Sequence, residues 1–287
     1  MKSRSILLFG DVHGRFDHAL HEALARRPAG VVFLGDIEPT RSMQEILAPL
    51  KEEGIQTWWI RGNHDTEHVT TWLHLVTALN ENLDQRVVEL RGIRLAGFGG
   101  VFRKTVWSPD LQQFDGKTAS FKSFKEFATQ RILATPGPAR FKEQGITAEQ
   151  AIAALDDPLF HANVLFGSEI LHLSSIFPED FEQMANLQAD VLITHEAPSC
   201  HPYGHIGIDH LARAMGAKLV IHGHHHDSLD YSAEQKRMGF ACVGVGFRGI
   251  AELDLDSLEV RVVRQGDYDV ERAGRMRSSL TDTDDEL

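Results

Sequence analysis

The chain has 287 residues, 24% of them charged, a formal net charge of −12 and two cysteines. That length suits one large domain with its own core, and the acidic balance disfavours nucleic acid, whose phosphates are held by Lys and Arg. Cys200 and Cys242 stand apart, which excludes a disulfide framework and a cysteine metal site and points to a reducing cytoplasm. Lys2 and Arg4 precede an apolar stretch, but Ile6–Phe9 is far shorter than the roughly 7–15 residues of a secretory leader core. No apolar run approaches the roughly 20 residues of a membrane span. The expectation is a soluble cytoplasmic protein with no membrane partner.

In chain order, the apolar runs Ile6–Phe9, Val31–Leu34 and Gln56–Ile60 read as buried strands, alternating with helix-like stretches over Phe16–Arg26 and Met43–Glu53. This order is βαβ and implies a parallel sheet. Val87–Leu90 and Ile93–Phe98 flank Arg91-Gly92 as a hairpin. The stretch from Val101 to about Leu187 reads as a helical insertion (about 101–187), with Phe121, Phe124, Ala128 and Ile132 at helical spacing and a capping box at Thr147-x-x-Gln150. Pro136-Gly137-Pro138 separates its helices. Lying between the third and fourth ligand blocks, the insertion is expected to cap the ligand edge or, alternatively, to pack peripherally or serve in dimerisation. Five strands follow, at Val191–Thr194, Leu219–His222, Phe240–Val243, Ile250–Leu255 and Val260–Val263, the last three expected as an antiparallel meander. One domain over residues 1–270 and a disordered acidic tail over 278–287 complete the organisation.

Five of the apolar runs end abruptly in metal-ligand residue types: Asp11 and His13, Asp36, Asn63 and His64, His195, and His224 and His226. Ligands of open α/β sheets sit beyond the carboxyl ends of strands, so these residues should converge on one edge. The donors are oxygen and nitrogen without thiolate, which suits Mn, Fe, Zn or Co. They are too many for one ion of about four ligands and match two ions roughly 3.5–4 Å apart.

The segments Gly10-Asp11-Val12-His13-Gly14, Gly35-Asp36, Gly62-Asn63-His64-Asp65, Thr194-His195 and Gly223-His224-His225-His226 resemble, in order and spacing, the motifs of calcineurin-like metallophosphoesterases. The resemblance implies an α/β fold, a two-sheet sandwich flanked by helices, and a hydrolase using two metal ions, of which Mn, Fe or Zn are the first expectations. By resemblance Asp36 bridges the ions, with Asp11, His13 and His226 on one and Asn63, His195 and His224 on the other. His64 then stabilises the transition state or protonates the leaving oxygen, and Asp65 orients its ring. The implied reaction is in-line attack on phosphorus by a hydroxide bridging the metals.

One departure bears on substrate. Where the family commonly has GDxxD, continuing with Arg-Gly in protein Ser/Thr phosphatases, this chain reads Gly35-Asp36-Ile37-Glu38-Pro39-Thr40. A small soluble phosphate ester is therefore expected. The alternatives are a protein Ser/Thr or dinucleoside polyphosphate phosphatase and, in another class, a non-catalytic metal-binding scaffold. Substrate-binding residues and oligomeric state are not legible. Arg41, Arg61, Arg103 and Arg248 each stand near a strand end and could clamp phosphate, although a structural ion pair is the commoner role. His201, His205 and His210 read as loop histidines, and His222 and His225 as pointing away from the ligand pair.

Overall fold

The computed structural model describes residues 3–109, 119–134, 141 and 145–273. The tail over 278–287 and Pro136-Gly137-Pro138 lie outside them. Among the described residues, ten strands form two five-stranded sheets. The first has the order β10-β9-β1-β2-β3, built from Val260–Arg264, Ile250–Asp254, Ser5–Phe9, Gly30–Phe33 and Gln56–Trp59. The second has the order β4-β5-β6-β7-β8, built from Arg86–Leu90, Ile93–Phe98, Val191–Thr194, Leu219–His222 and Ala241–Gly244. Strands β1 to β3 run parallel, as do β5 to β8, so each sheet presents a row of carboxyl ends.

The continuous apolar runs have a direct cause: successive side chains of a strand point to opposite faces, and here both faces are covered. Ile6, Leu8 and Val32 of one sheet meet Val191, Ile193, Leu219 and Ile221 of the other in the inter-sheet core. Leu7, Phe9, Val31 and Phe33 turn outward and cluster with Ala19 and Ala23 of α1 (Asp17–Arg26) and Ile46, Leu47 and Leu50 of α2 (Met43–Glu52).

The region between β5 and β6 holds α4 (Phe124–Leu133), α5 (Ala148–Ala153), α6 (His161–Val164), α7 (Ser168–Leu171) and α8 (Pro178–Ala185), following α3 (Val69–Leu75). Thr147 and Gln150 close the capping box at the start of α5. These helices share the large core cluster through Phe127 and Ile132 of α4, Val164 of α6, Ile170 of α7 and Phe181 of α8. The Trp72 ring stacks on His161 at 5.9 Å, and the Thr66 hydroxyl donates to Ser174 Oγ at 2.7 Å. The insertion is thus sewn onto the turn at His64–Thr66. The remaining helices, α9 (Ile206–Met215) and α10 (Gln235–Met238), flank β7.

The expected three-strand meander is corrected. Of those three strands, only β9 and β10 pair antiparallel with one another, β9 being also antiparallel to β1; β8 lies in the second sheet, parallel to β7. The short α10 is spacer enough for the parallel crossover, and Val245–Gly249 then carries the chain to the other sheet. Among the described residues no helix is long and apolar enough to cross a membrane.

Candidate metal centre

The ligand-type residues emerge directly after β1, β2, β3, β6 and β7, and the loops carrying them are fastened to one another. His13 N donates to Asp36 O at 3.0 Å and Gly14 N to Ile37 O at 2.8 Å. His224 N donates to both Asp11 oxygens, at 3.2 and 3.1 Å. Sharp turns at strand ends require unusual backbone: Asp11, His13, Asp36, His224 and His226 all have positive φ, between 35° and 69°. Such a conformation costs a non-glycine residue roughly 1–2 kcal/mol, and its concentration here marks a site held in shape by its surroundings. Gly62 is needed for another reason, because a Cβ there would run into the Asp36 carboxylate and come within 2.7 Å of His195 Cε1.

Two groups of donors converge. His13, Asp36 and His226 form one, Asp36, His195 and His224 the other, with the ligand atoms of each within 4.8 Å of one another. Asp36 belongs to both. Asn63 joins the second group, its Oδ1 3.2 Å from His195 Nε2. Asp11 is fully buried but stands outside these mutual groups, its carboxylate occupied by the His224 amide and 3.8 Å from His195 Nδ1. His64 sits beside the first group, with its ring 5.2 Å from that of His13 and Nε2 4.0 Å from Asp36 Oδ2.

Two further carboxylates orient this set. Glu38 binds His13 Nδ1, leaving Nε2 buried and without a partner, turned toward Asp36 at 3.9 Å. Glu67 Oε1 lies 3.0 Å from His64 Nδ1. That is the task expected of Asp65, whose carboxylate instead accepts from the amides of Ile37 and Glu38 (both 2.8 Å) and Gly62 (2.7 Å). Asp65 buckles the two loops together. The Leu34 carbonyl accepts from His195 Nδ1 at 2.7 Å and points Nε2 inward. Sequence reasoning missed Glu38 and Glu67 as orienting groups; the one signal was Glu38 two residues after Asp36. His222 is buried with Nδ1 3.0 Å from Gly223 O, while His225, its ring stacked on that of His201 at 3.8 Å, lines the hollow beside Asn63 and His224.

These residues fit divalent ions. An orphaned buried Nε2, a carboxylate shared between two groups and second-atom partners that fix the His13 and His195 rings are what a hard-to-borderline cation requires. The charge state agrees. Burial opposes ionisation of Asp36, but His195 and the His64 amide outweigh it and hold the carboxyl well below its usual range. Burial keeps His224 and His226 neutral, with pKa values lowered to about 3 and about 4. For His195 burial also acts downward, yet Asp36 and Asp11 raise it to about 10.

Two measurable results follow from this. Charged at pH 7, His195 must lose its proton to a cation taking Nε2, so metal uptake should release protons and affinity should climb as pH rises toward 10. Calorimetry in two buffers of different ionisation enthalpy reads this, and a proton count of zero would contradict it. Glu38→Gln should weaken metal binding about 10- to 100-fold, since an outer partner that fixes a ligand imidazole has that worth; unchanged affinity in a competition titration would dismiss the role.

A two-sheet sandwich with a shared carboxylate between two donor groups at its carboxyl edge defines a class, the two-metal hydrolases of α/β design. A model of the calcineurin-like phosphoesterase family matches residues 4–228, and the chain belongs to that family. It is a phosphoester hydrolase of a family that is typically dinuclear and metal-dependent. An uncharacterised protein of Haemophilus influenzae is 32% identical over 251 residues, spanning 87% of this chain and 94% of its own. Among solved structures, TT1561 of Thermus thermophilus aligns with a TM-score of 0.49 at 16% identity, over 91% of this chain and 99% of its own. A dimetal phosphatase from Danio rerio aligns at 0.46 and 14% identity, over 93% and 97%.

Proposed function

We propose that the protein hydrolyses a small soluble phosphate ester, with one cation held by Asp11, His13, Asp36 and His226 and a second by Asp36, Asn63, His195 and His224. The observation that carries this reading is Asp36, common to both donor groups. When bound, the ions would supply positive charge for the phosphoryl oxygens and a lowered pKa for the attacking water. The chain does the rest. Asp36 holds the two positions at one spacing, Leu34 O and Glu38 fix the rings of His195 and His13, and the crowded backbone at Gly62 keeps Asn63 at the edge. His64, with Nδ1 on Glu67 and Nε2 toward the site, gives a proton to the departing oxygen as it leaves in line.

A small substrate is supported by the size of the hollow beside Asn63 and His224, about 320 Å³, and by Glu38-Pro39-Thr40 in place of the arginine of protein phosphatases. Mn, Fe or Zn are the proposed ions, with a cytoplasmic setting. The test is reconstitution of metal-stripped protein with Mn, Fe, Co, Zn and Ni separately against p-nitrophenyl phosphate and its bis ester. Metal-dependent turnover supports the enzyme; two bound metals without turnover on any phosphoester would favour the non-catalytic scaffold.

A further inference from the structure

The four arginines near strand ends have different fates. Arg61 pairs with Asp84 at 3.4 Å, and Arg248 reaches Asp267 at 3.5 Å while lying over the Phe247 ring. Arg41 is exposed and lines a separate hollow with Gly14 and Thr40. Arg103 alone lines the hollow that contains Asn63 and His224, and among the described residues it makes no ion pair.

Its backbone is fixed on both sides. Val101 N donates to Ser174 O at 2.8 Å, Phe102 N to Glu196 Oε1 at 3.0 Å, and the Arg103 carbonyl accepts from Val106 and Trp107, both at 2.8 Å. One arm of the guanidinium is held: Nη2 donates to Ser174 Oγ at 3.0 Å, and Ser174 is itself bonded to Leu171 O and Thr66. The Nε is buried and has no partner. The acidic groups whose fields reach Arg103 are Glu196, Glu67 and Asp36. Each has another task, Glu196 with the Phe102 amide, Glu67 with His64 and Asp36 between the donor groups. A half-buried guanidinium anchored at one nitrogen and unmatched by its own carboxylate is suited to an anion arriving from the hollow.

We propose that Arg103 binds the extra negative charge of a phosphomonoester, making it a specificity-determining residue that favours monoesters over diesters. The inference rests on the phosphoesterase reading above. A monoester dianion carries one more charged oxygen than a diester, in which that oxygen bears an alkyl or aryl group and no charge. The planar fork of Arg103 can meet that oxygen where the protein's other donors are committed to cations. Loss of a charge-assisted hydrogen bond is the expected deficit.

The experiment compares Mn-loaded wild type, Arg103→Ala and Arg103→Lys in metal content, affinity for inorganic phosphate, and kcat/KM on p-nitrophenyl phosphate and its bis ester. Arg103→Ala should keep its metal, lose about 10- to 100-fold on the monoester and in phosphate affinity, and lose less than about threefold on the diester. Arg103→Lys should fall between, having the charge without the fork. Equal loss on both esters, loss of metal, or unchanged phosphate affinity would overturn the assignment. Wild type inert toward both esters would count against the phosphoesterase reading instead, and the phosphate affinities of wild type and Arg103→Ala would still decide this one.

Discussion

Asp36→Asn should hold fewer metal ions per chain than wild type and lose roughly 10³-fold or more of its activity, because several kcal/mol of transition-state charge stabilisation depend on both ions being in place. Asp36 is nearly fully buried and takes part in both donor groups, so neither retains its geometry without the carboxylate. The substitution has a second effect, visible without metal. Asp36 is the strongest of the groups that keep His195 charged in the interior, with Oδ1 3.4 Å from Nε2. Removing one partner of a buried pair leaves the other uncompensated, at a cost of about 3–5 kcal/mol. The metal-free variant should therefore melt well below metal-free wild type at pH 7. Elemental analysis and circular dichroism separate the two effects, and full metal occupancy in Asp36→Asn would refute the bridging assignment.

His64→Asn has the opposite profile: metal content and stability close to wild type, turnover reduced by about 10²- to 10⁴-fold, the usual worth of a positioned proton donor. The His64 side chain is partly exposed and reaches the centre only through Nε2, while the backbone amide that donates to Asp36 at 2.8 Å survives the substitution, so little of the fold depends on the ring. Substrates with better leaving groups need less protonation, and the deficit should shrink along a series of aryl phosphates of falling leaving-group pKa. Full activity in the variant would end the acid role. Glu67→Gln should cost less, since it removes only the partner of Nδ1.

The strands and the candidate ligand residues that end them were open to reading for one physical reason. Strands buried on both faces show as unbroken apolar runs, and residues needed at a sheet edge must follow those runs at once, as Asp11, Asp36 and His195 do. Glu38 and Glu196 escaped because their work is done through space: Glu38 reaches His13 across 25 positions, and Glu196 meets the Phe102 amide across 94. Asp65 was placed next to His64 by adjacency, yet the tight 3₁₀ turn at His64–Thr66 swings its carboxylate under the loop after β2, where the amides of Ile37 and Glu38 take it together with that of Gly62 from its own loop. The sheet to which β8 belongs was likewise hidden, since a four-residue helix gives almost no periodic signal.

The left-handed turns at the edge also set an order of events in time. Asp11 and His224 stand 213 positions apart, and no short stretch of chain presents more than two of the donors together. An unfolded or half-folded chain offers at most local pairs and the histidine run at His222–His226, never the assembled centre, unlike small domains whose ligands are neighbours in sequence and whose folding waits for the ion. Here both sheets must close before a cation finds its place. Maturation is folding first and loading second, so Mn should leave the refolding rate unchanged while raising the melting temperature of the finished protein. The ion that ends up bound is the one the compartment offers to an already folded chain.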